Sequence, residues 1–140
     1  MPKGAKILLV EDDPDQVQAL TVILESEGYE IAVASTGQEG LEKAAGERPD
    51  LIVLDIMMTD ETEGIRVAHR LRSPAADADL APLKEVPIIA LSAIHQETRL
   101  RFDTVAGTDM LPVDEWMDKP VDPQQLLDKI KELLARRRQS

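Results

Sequence analysis

Four places along the sequence hold polar side chains of the types that metal binding and group transfer require. Three consecutive acids occupy positions 11–13, and Asp55, Ser92 and Lys119 each follow a short apolar run further along the chain. Carboxylates held close together repel one another, and a hard cation such as Mg²⁺, which prefers oxygen ligands, relieves that repulsion. A lysine facing them would pair with a carboxylate or with an incoming phosphate. A nucleophilic oxygen, a metal ion and a second cation together meet the requirements of phosphoryl transfer.

The elements that would position these side chains alternate between strand and helix. Short apolar runs predict strands at 7–10, 31–34, 51–54, 88–91 and 115–117. Helical patterns run from Pro14 until Gly28 and from Pro123 onward, and cover about 38–47, 65–72 and 96–105. Asp13 and Asp122 each precede a proline, a pair of residue types that is typical of a helix N-terminus.

Five strands alternating with five helices predict an α/β fold, with a parallel sheet covered by helices on both faces. Ligands of such sheets bind outside the carboxyl ends of the strands, so the four polar places should converge there. The second predicted strand contributes no comparable candidate site residue at its end. Two helix-to-strand connections, 73–87 and 106–114, are unusually long and should lie at the opposite edge, where they are candidates for partner contacts.

Composition limits the classes of function. The chain has 140 residues, enough for one compact domain, with a formal net charge of −11 and no cysteine. This charge disfavours nucleic acid and anionic membrane as partners, because both bind clustered Lys and Arg. The lack of cysteine excludes disulfides and thiolate chemistry. No apolar run approaches the roughly 18 residues that span a bilayer, and the N-terminus is unlike a signal peptide, so we expect a cytoplasmic protein.

Four motifs of the chain resemble the receiver domain of bacterial two-component response regulators (CheY-like). They are ILLVEDDP at 7–14, LIVLDIMM at 51–58, Leu-Ser-Ala at 91–93 and Lys-Pro at 119–120. One acidic pair or one Lys-Pro would be a weak signal, whereas four motifs in register along nearly the whole chain are specific. The resemblance implies a doubly wound, flavodoxin-like (βα)5 fold with strand order 2-1-3-4-5, and a single receiver domain over 1–140.

The resemblance also implies a role for each acidic residue. Asp55 would be the phosphoacceptor, Asp12 would bind Mg²⁺ (or Mn²⁺ in its place), and Glu11 would hold one of the waters of the ion. An acidic pair of Asp12 and Asp13 is the alternative, although Asp13 suits a helix cap better. The backbone carbonyl of Met57 would supply a further metal ligand.

Three residues of the later strands complete the implied site. Ser92 would donate a hydrogen bond to the phosphoryl group, and Lys119 would pair with one of its oxygens. Trp116 stands where the family usually has a Tyr or Phe that swings inward on activation. Ser92 and Trp116 would therefore carry the conformational change.

The implied function is a signalling switch. A histidine kinase or histidine phosphotransfer protein would phosphorylate Asp55, and a protein partner would bind the changed face of helix 4, strand 5 and helix 5. Homodimerisation through the helix 4–helix 5 face is common in the family. The protein would act as an enzyme only in its own phosphorylation and dephosphorylation.

Three alternatives to a stand-alone switch remain open. A Mg²⁺-dependent phosphohydrolase with an Asp nucleophile is disfavoured, because Met57 stands where that family has a second Asp. A scaffold that works without phosphorylation is disfavoured by the complete set of chemical residues. A receiver domain excised from a longer regulator would have the same sequence.

Overall fold

A computed structural model describes residues 4–56, 61–72, 85–92, 113–118 and 121–139, without the side chains of 61–65, Ser92 and 137–139. The strands are β1 Lys6–Val10, β2 Glu30–Ala34, β3 Leu51–Asp55, β4 Ile88–Ser92 and β5 Glu115–Asp118. The helices are α1 Pro14–Glu25, α2 Gly37–Glu47, α3 Glu61–Arg72 and α4 Pro123–Gln139. The helix predicted at 96–105 lies outside the described residues, so α4 is the fifth helix of the sequence prediction.

The five strands form one parallel sheet in the order β2-β1-β3-β4-β5. This confirms the predicted α/β class, the doubly wound topology and the strand order. The central strands β1, β3 and β4 are continuous aliphatic runs because both of their faces are buried. In the parallel register, Val10 of β1 lies beside Leu54 of β3.

Helices cover both faces of the sheet. Alternate residues of β1 point to opposite sides, so Leu8 and Val10 belong to one hydrophobic cluster and Ile7 and Leu9 to the other. Helices α2 and α3 supply the first cluster, whereas α1 and α4 supply the second. The core is largely aliphatic, as the composition predicts.

The helix boundaries follow local chemistry. Asp13 caps α1, because its side chain accepts a hydrogen bond from the backbone N–H of Asp15 at 2.9 Å. Thr36 caps α2 in the same way, accepting from the N–H of Glu39 at 3.0 Å. Helix α3 begins at Glu61, earlier than the prediction at 65, because an acidic first turn carries no apolar periodicity.

The N-terminal edge of the sheet is held by a bridge that we call the clamp, made by Arg72 at the end of α3 and Asp114 just before β5. The guanidinium donates to a carboxylate oxygen of Asp114 and, at 2.6 Å, to the carbonyl of Val86. The same carboxylate oxygen accepts from the N–H of Ile88 at 2.8 Å. The clamp therefore joins the starts of β4 and β5 to the end of α3.

The ends of the two long connections lie where they were predicted. Residues 85–87 lead into β4 and residues 113–114 lead into β5, both at the N-terminal edge. The rest of these connections lies outside the described residues. Within the described chain, no helix combines the length and apolar character that crossing a bilayer requires.

Candidate metal centre

Three carboxylates come together at the C-terminal edge of the sheet. Asp55 is the last residue of β3, and Glu11 and Asp12 directly follow β1. The N–H of Glu11 donates to the carbonyl of Ala34 at 2.9 Å, which extends the pairing of β1 with β2 by one residue. Parallel pairing thus brings acids that are 44 residues apart in sequence to the same place.

These three residues, which we call the acidic cluster, form a compact set of oxygen donors. One carboxylate oxygen from each of Glu11, Asp12 and Asp55 lies within 4.8 Å of the other two. Glu11 is 1% exposed and Asp55 is 2% exposed, whereas Asp12 is half-buried. The cluster is therefore open to solvent mainly on the side of Asp12.

Electrostatics disfavour this arrangement without a counter-charge. Two unit charges 4.8 Å apart repel each other by roughly 3 kcal/mol at an effective dielectric constant of about 20. Burial of two of the carboxylates adds a desolvation penalty. Such an arrangement is typical of a functional site, where a bound cation compensates the negative charge.

The donor set fits a hard divalent cation. Mg²⁺ binds oxygen ligands at about 2.0–2.1 Å, so two ligands of one ion lie at most about 4.2 Å apart. The separations in the acidic cluster, which are within 4.8 Å, are on this scale. Carboxylates with retained waters are the usual ligands of this ion.

Asp13 does not belong to the cluster. Its side chain caps α1, and its own N–H donates to Glu11 Oε2 at 3.3 Å. The structure therefore groups Glu11 with Asp12, in preference to the alternative pair of Asp12 and Asp13. Asp13 instead orients the carboxylate of Glu11.

A close helix–strand contact fixes the strand end that carries these acids. A Cβ built on Gly40 of α2 would lie 3.0 Å from Cγ2 and 3.3 Å from Cγ1 of Val10, the residue before Glu11. Glycine in mid-helix is about 1 kcal/mol less favourable than alanine, so its presence there signals close packing. The sequence analysis missed this contact, although the glycine inside the helical pattern was its visible signal.

Trp116 lies on β5 next to β4. Its register partner is Ala90, and its half-buried indole packs against the hydrophobic cluster on the α2–α3 face of the sheet. The small side chain of Ala90 leaves room for the indole ring of Trp116. The inward swing of Trp116 on activation stays a prediction.

The remaining predicted site residues are described only in part. Ser92 ends β4 at the same edge as Asp55, with its backbone beside Asp118, and its side chain is not described. Met57 and Lys119 lie outside the described residues. The structure thus brings together Glu11, Asp12 and Asp55 but does not test the contacts of the other three.

Comparison with known protein families gives the context of this geometry. The family model described as response regulator receiver domain matches residues 7–131, which is most of the chain. The chain belongs to the response regulator receiver family. Its strand order and the position of its acidic cluster agree with this assignment.

Relatives of this receiver domain differ in length. The alkaline phosphatase synthesis transcriptional regulatory protein PhoP of Bacillus subtilis is 38% identical over 131 residues, which cover 94% of this chain and 49% of PhoP. Protein PilH of Pseudomonas aeruginosa is 33% identical over 131 residues, which cover 94% of this chain and 98% of PilH. The chain spans about half the length of PhoP and nearly all of PilH.

A solved receiver structure is similar to this one in fold. It is the receiver domain of the sensor histidine kinase PA1611 from Pseudomonas aeruginosa, described with a magnesium ion coordinated in its active-site cleft. The two share 25% identity and a TM-score of 0.75, over 94% of this chain and 98% of that one. Magnesium binding by a structural neighbour agrees with the donor set of the acidic cluster.

Proposed function

We propose that this receiver domain is a phosphoacceptor switch in which Asp55 is phosphorylated by a histidine kinase or a histidine phosphotransfer protein. The observation that carries the proposal is the position of Asp55, at the end of β3 and within 4.8 Å of two further carboxylates. A lone buried aspartate would be a poor phosphoacceptor, because it would repel the incoming phosphate. Two flanking acids can hold a cation, and the positive charge of that cation would offset the repulsion between Asp55 and the phosphate.

The transfer needs no proton from the protein. A carboxylate oxygen of Asp55 attacks the phosphorus of the donor phosphohistidine, a P–O bond forms, and the P–N bond breaks. The electron pair of that bond returns to the imidazole of the donor, which then takes a proton from water. Catalysis is therefore mostly positioning and charge compensation.

Asp12 and Asp55 would hold the Mg²⁺ ion, with Glu11 retaining one of its waters and the carbonyl of Met57 as a further ligand. The bound ion would neutralise charge on the transferred phosphoryl group. Mn²⁺ should substitute, since it accepts the same oxygen ligands. The proposal is supported by the closeness of the three carboxylates and by the magnesium of the PA1611 receiver domain.

Lys119 and Ser92 would bind the transferred group. We propose that the ammonium of Lys119 pairs with one phosphoryl oxygen and that the hydroxyl of Ser92 donates a hydrogen bond to another. Support for Ser92 comes from its place at the end of β4, the neighbour of β3. Support for Lys119 comes from the sequence, in which it directly follows Asp118, the last residue of β5 and the register partner of Ser92.

Phosphorylation would be read out on the face made by the predicted helix at 96–105, β5 and α4. We propose that Ser92 and Trp116 couple Asp55 to this face, which a protein partner then binds. A homodimer through the two helices of this face is a further hypothesis. The chain would be an enzyme only towards its own phosphoryl group.

We also propose that residues 1–140 form one receiver domain. The family match over 7–131 supports this assignment. PilH offers a precedent for a protein of similar length, whereas PhoP is about twice as long. A stand-alone, cytoplasmic protein that does not bind nucleic acid stays a prediction.

Mass spectrometry after incubation with acetyl phosphate and Mg²⁺ tests the proposal. We expect one added phosphoryl group in the wild-type protein and none in Asp55→Asn or after chelation of the metal. Asp50→Asn is the matched control, because Asp50 lies at the other edge of the sheet and should leave the labelling intact. Labelling that persists in Asp55→Asn contradicts the assignment, and turnover of added phosphate esters would indicate a phosphohydrolase.

A further inference from the structure

Strand β2 lies at the end of the sheet opposite β5 and has β1 on its inner side. The N–H of Glu30 and the carbonyl of Ala34 each bond to a residue that flanks β1, at 2.9 Å. The backbone groups of successive strand residues point to opposite sides, so those of Ile31 and Val33 point away from β1. We call these outward-pointing N–H and C=O groups the outer edge of β2.

The ammonium of Lys43 occupies part of this edge. Lys43 belongs to α2, and its half-buried side chain donates a hydrogen bond from Nζ to the carbonyl of Val33. A lysine in a helix commonly pairs with acids one turn away, which here are Glu39 and Glu47. Each of these acids accepts a hydrogen bond from another donor, at 2.6 Å for Glu39 and 2.8 Å for Glu47. The lysine therefore places its charge against the edge of the sheet.

The outer edge of β2 has the properties of an edge that can add a further strand. Native proteins block such pairing with charged side chains, lysine above all. The middle of β2 is apolar, and its one charged residue, Glu30, stands first in the strand. Antiparallel pairing of two copies about a twofold axis at Ala32 would set Ile31 opposite Val33 of the second copy, and each such pair exchanges two hydrogen bonds. Lys43 occupies one acceptor of every such pair.

We propose that Lys43 is a gatekeeper residue, which keeps the outer edge of β2 from pairing with the same edge of a second copy of the chain. Its hydrogen bond takes the carbonyl of Val33, which a new strand would need as an acceptor. Its charge adds a cost, because a strand laid over the ammonium would remove it from water without pairing it with an acid. A second copy would therefore have to displace Lys43 before it could pair.

A simpler explanation is that the hydrogen bond of Lys43 only stabilises the monomer. Lys43 would then join α2 to β2, and its removal would change the free energy of unfolding alone. Removal of a gatekeeper residue, in contrast, also creates a new contact between chains. The measurement must therefore follow a property that depends on protein concentration, which the stability of a monomer does not.

Hydrogen exchange measured by NMR on Lys43→Met tests the proposal. Methionine keeps most of the apolar stem and lacks both the charge and the donor. In high salt, which screens the repulsion between two acidic chains, the variant should pair as the protein concentration rises. The outward amides of Ile31 and Val33 should exchange about tenfold more slowly once about nine-tenths of the protein is paired. In the wild-type protein, exchange of these two amides should not depend on concentration.

Three further variants make the result specific to the outer edge of β2. Lys43→Arg keeps a charged donor and should behave like wild type. Lys131→Met makes the same change of net charge at an exposed position of α4 and should also behave like wild type. Val33→Pro added to Lys43→Met removes an N–H of the outer edge and leaves the bonds to β1 intact, so it should abolish the slow exchange of Ile31.

Exchange at Ile31 and Val33 that stays independent of concentration in Lys43→Met would overturn the proposal, as would equal slowing in Lys131→Met or in wild type. Lys43→Ala serves for the same measurement should the methionine variant fold poorly. Acetyl phosphate labelling should be equal in all these proteins, because β2 supplies no residue to the acidic cluster. Loss of labelling in wild type would reject the proposed function without bearing on Lys43.

Discussion

Charged side chains are arranged differently at the two edges of the sheet. At the N-terminal edge, carboxylates pair with cations. Asp114 pairs with Arg72 in the clamp, and Glu47 Oε1 lies 2.8 Å from Lys6 Nζ. At the C-terminal edge the carboxylates of the acidic cluster meet one another within 4.8 Å. Opposite charges stabilise the fold, whereas like charges lower its stability.

The contrast separates residues that serve the fold from residues that serve a ligand. A protein without a function for the acidic cluster would gain stability by replacing its acids, since relieved repulsion stabilises the native state. The clamp has no such conflict, because each polar atom described in it donates to or accepts from another. Substitutions at the two edges should therefore change stability in opposite directions.

The largest effect is expected on metal binding at the C-terminal edge. Asp12→Asn removes a charged oxygen ligand, so the affinity for Mg²⁺ should fall about a hundredfold, which corresponds to about 2.7 kcal/mol. Isothermal titration calorimetry with MgCl₂ measures the Mg²⁺ affinity of the variant and of the wild-type protein. In metal-free buffer the same variant should unfold at a higher urea concentration than wild type, because a repulsive charge is gone.

Asp13→Asn is the matched control for this substitution. Asn is as good a helix cap as Asp, and Asp13 lies outside the acidic cluster, so Mg²⁺ affinity should change by less than about threefold. An equal loss in both variants would mean that residues 12 and 13 form the metal-binding pair.

A smaller effect of opposite sign is expected at the clamp. Asp114→Ala deprives the guanidinium of Arg72 and the N–H of Ile88 of their shared acceptor, so the free energy of unfolding should fall by about 2 kcal/mol. Urea denaturation followed by the fluorescence of Trp116, the only tryptophan, measures this change. Phosphorylation by acetyl phosphate should continue, because the clamp lies at the other edge.

Glu25→Ala controls for the loss of one negative charge. This residue is exposed on α1 and should change stability by less than about 0.5 kcal/mol. Equal stability of the Asp114 and Glu25 variants would show that the clamp contributes nothing beyond net charge.

The smallest effect is expected at the exposed Lys6–Glu47 pair. The hydrogen bond from Lys6 lowers the pKa of Glu47 below its usual value near 4.5, and the same bond raises the pKa of Lys6 above 10.5. Because the folded-state pKa of Glu47 is depressed, its contribution is present above pH 4.5 and disappears as the pH falls through the folded-state value. Lys6 remains charged over this range.

Urea denaturation of wild type and Glu47→Gln across pH 3 to 7 measures the contribution of this pair. The wild-type protein should be slightly more stable at pH 7, and the difference should vanish at pH 3 and in high salt. A difference that grows towards low pH would contradict the sign of the pKa shift.

The sequence predicted the strands and most helix ends because these depend on local patterns. Asp13-Pro14 correctly predicts where α1 begins, and aliphatic runs locate β1, β3 and β4. The meeting of Glu11 and Asp12 with Asp55 was also predictable, since the carboxyl ends of parallel strands share one edge.

The remaining features depend on tertiary contacts that no local pattern encodes. Nothing near Arg72 in sequence indicates that it pairs with Asp114, 42 residues away. The first turn of α3 was missed because its acids and glycine carry no apolar stripe.

The clamp also bears on how this chain tolerates changes of length. Arg72 contacts both Val86 and Asp114, so the ends of the 73–85 segment are fixed independently of how many residues lie between them. The entropic cost of closing a loop increases only slowly with its length, by about 0.6 kcal/mol for each doubling. Insertions or deletions within this segment should therefore leave the sheet and the acidic cluster undisturbed.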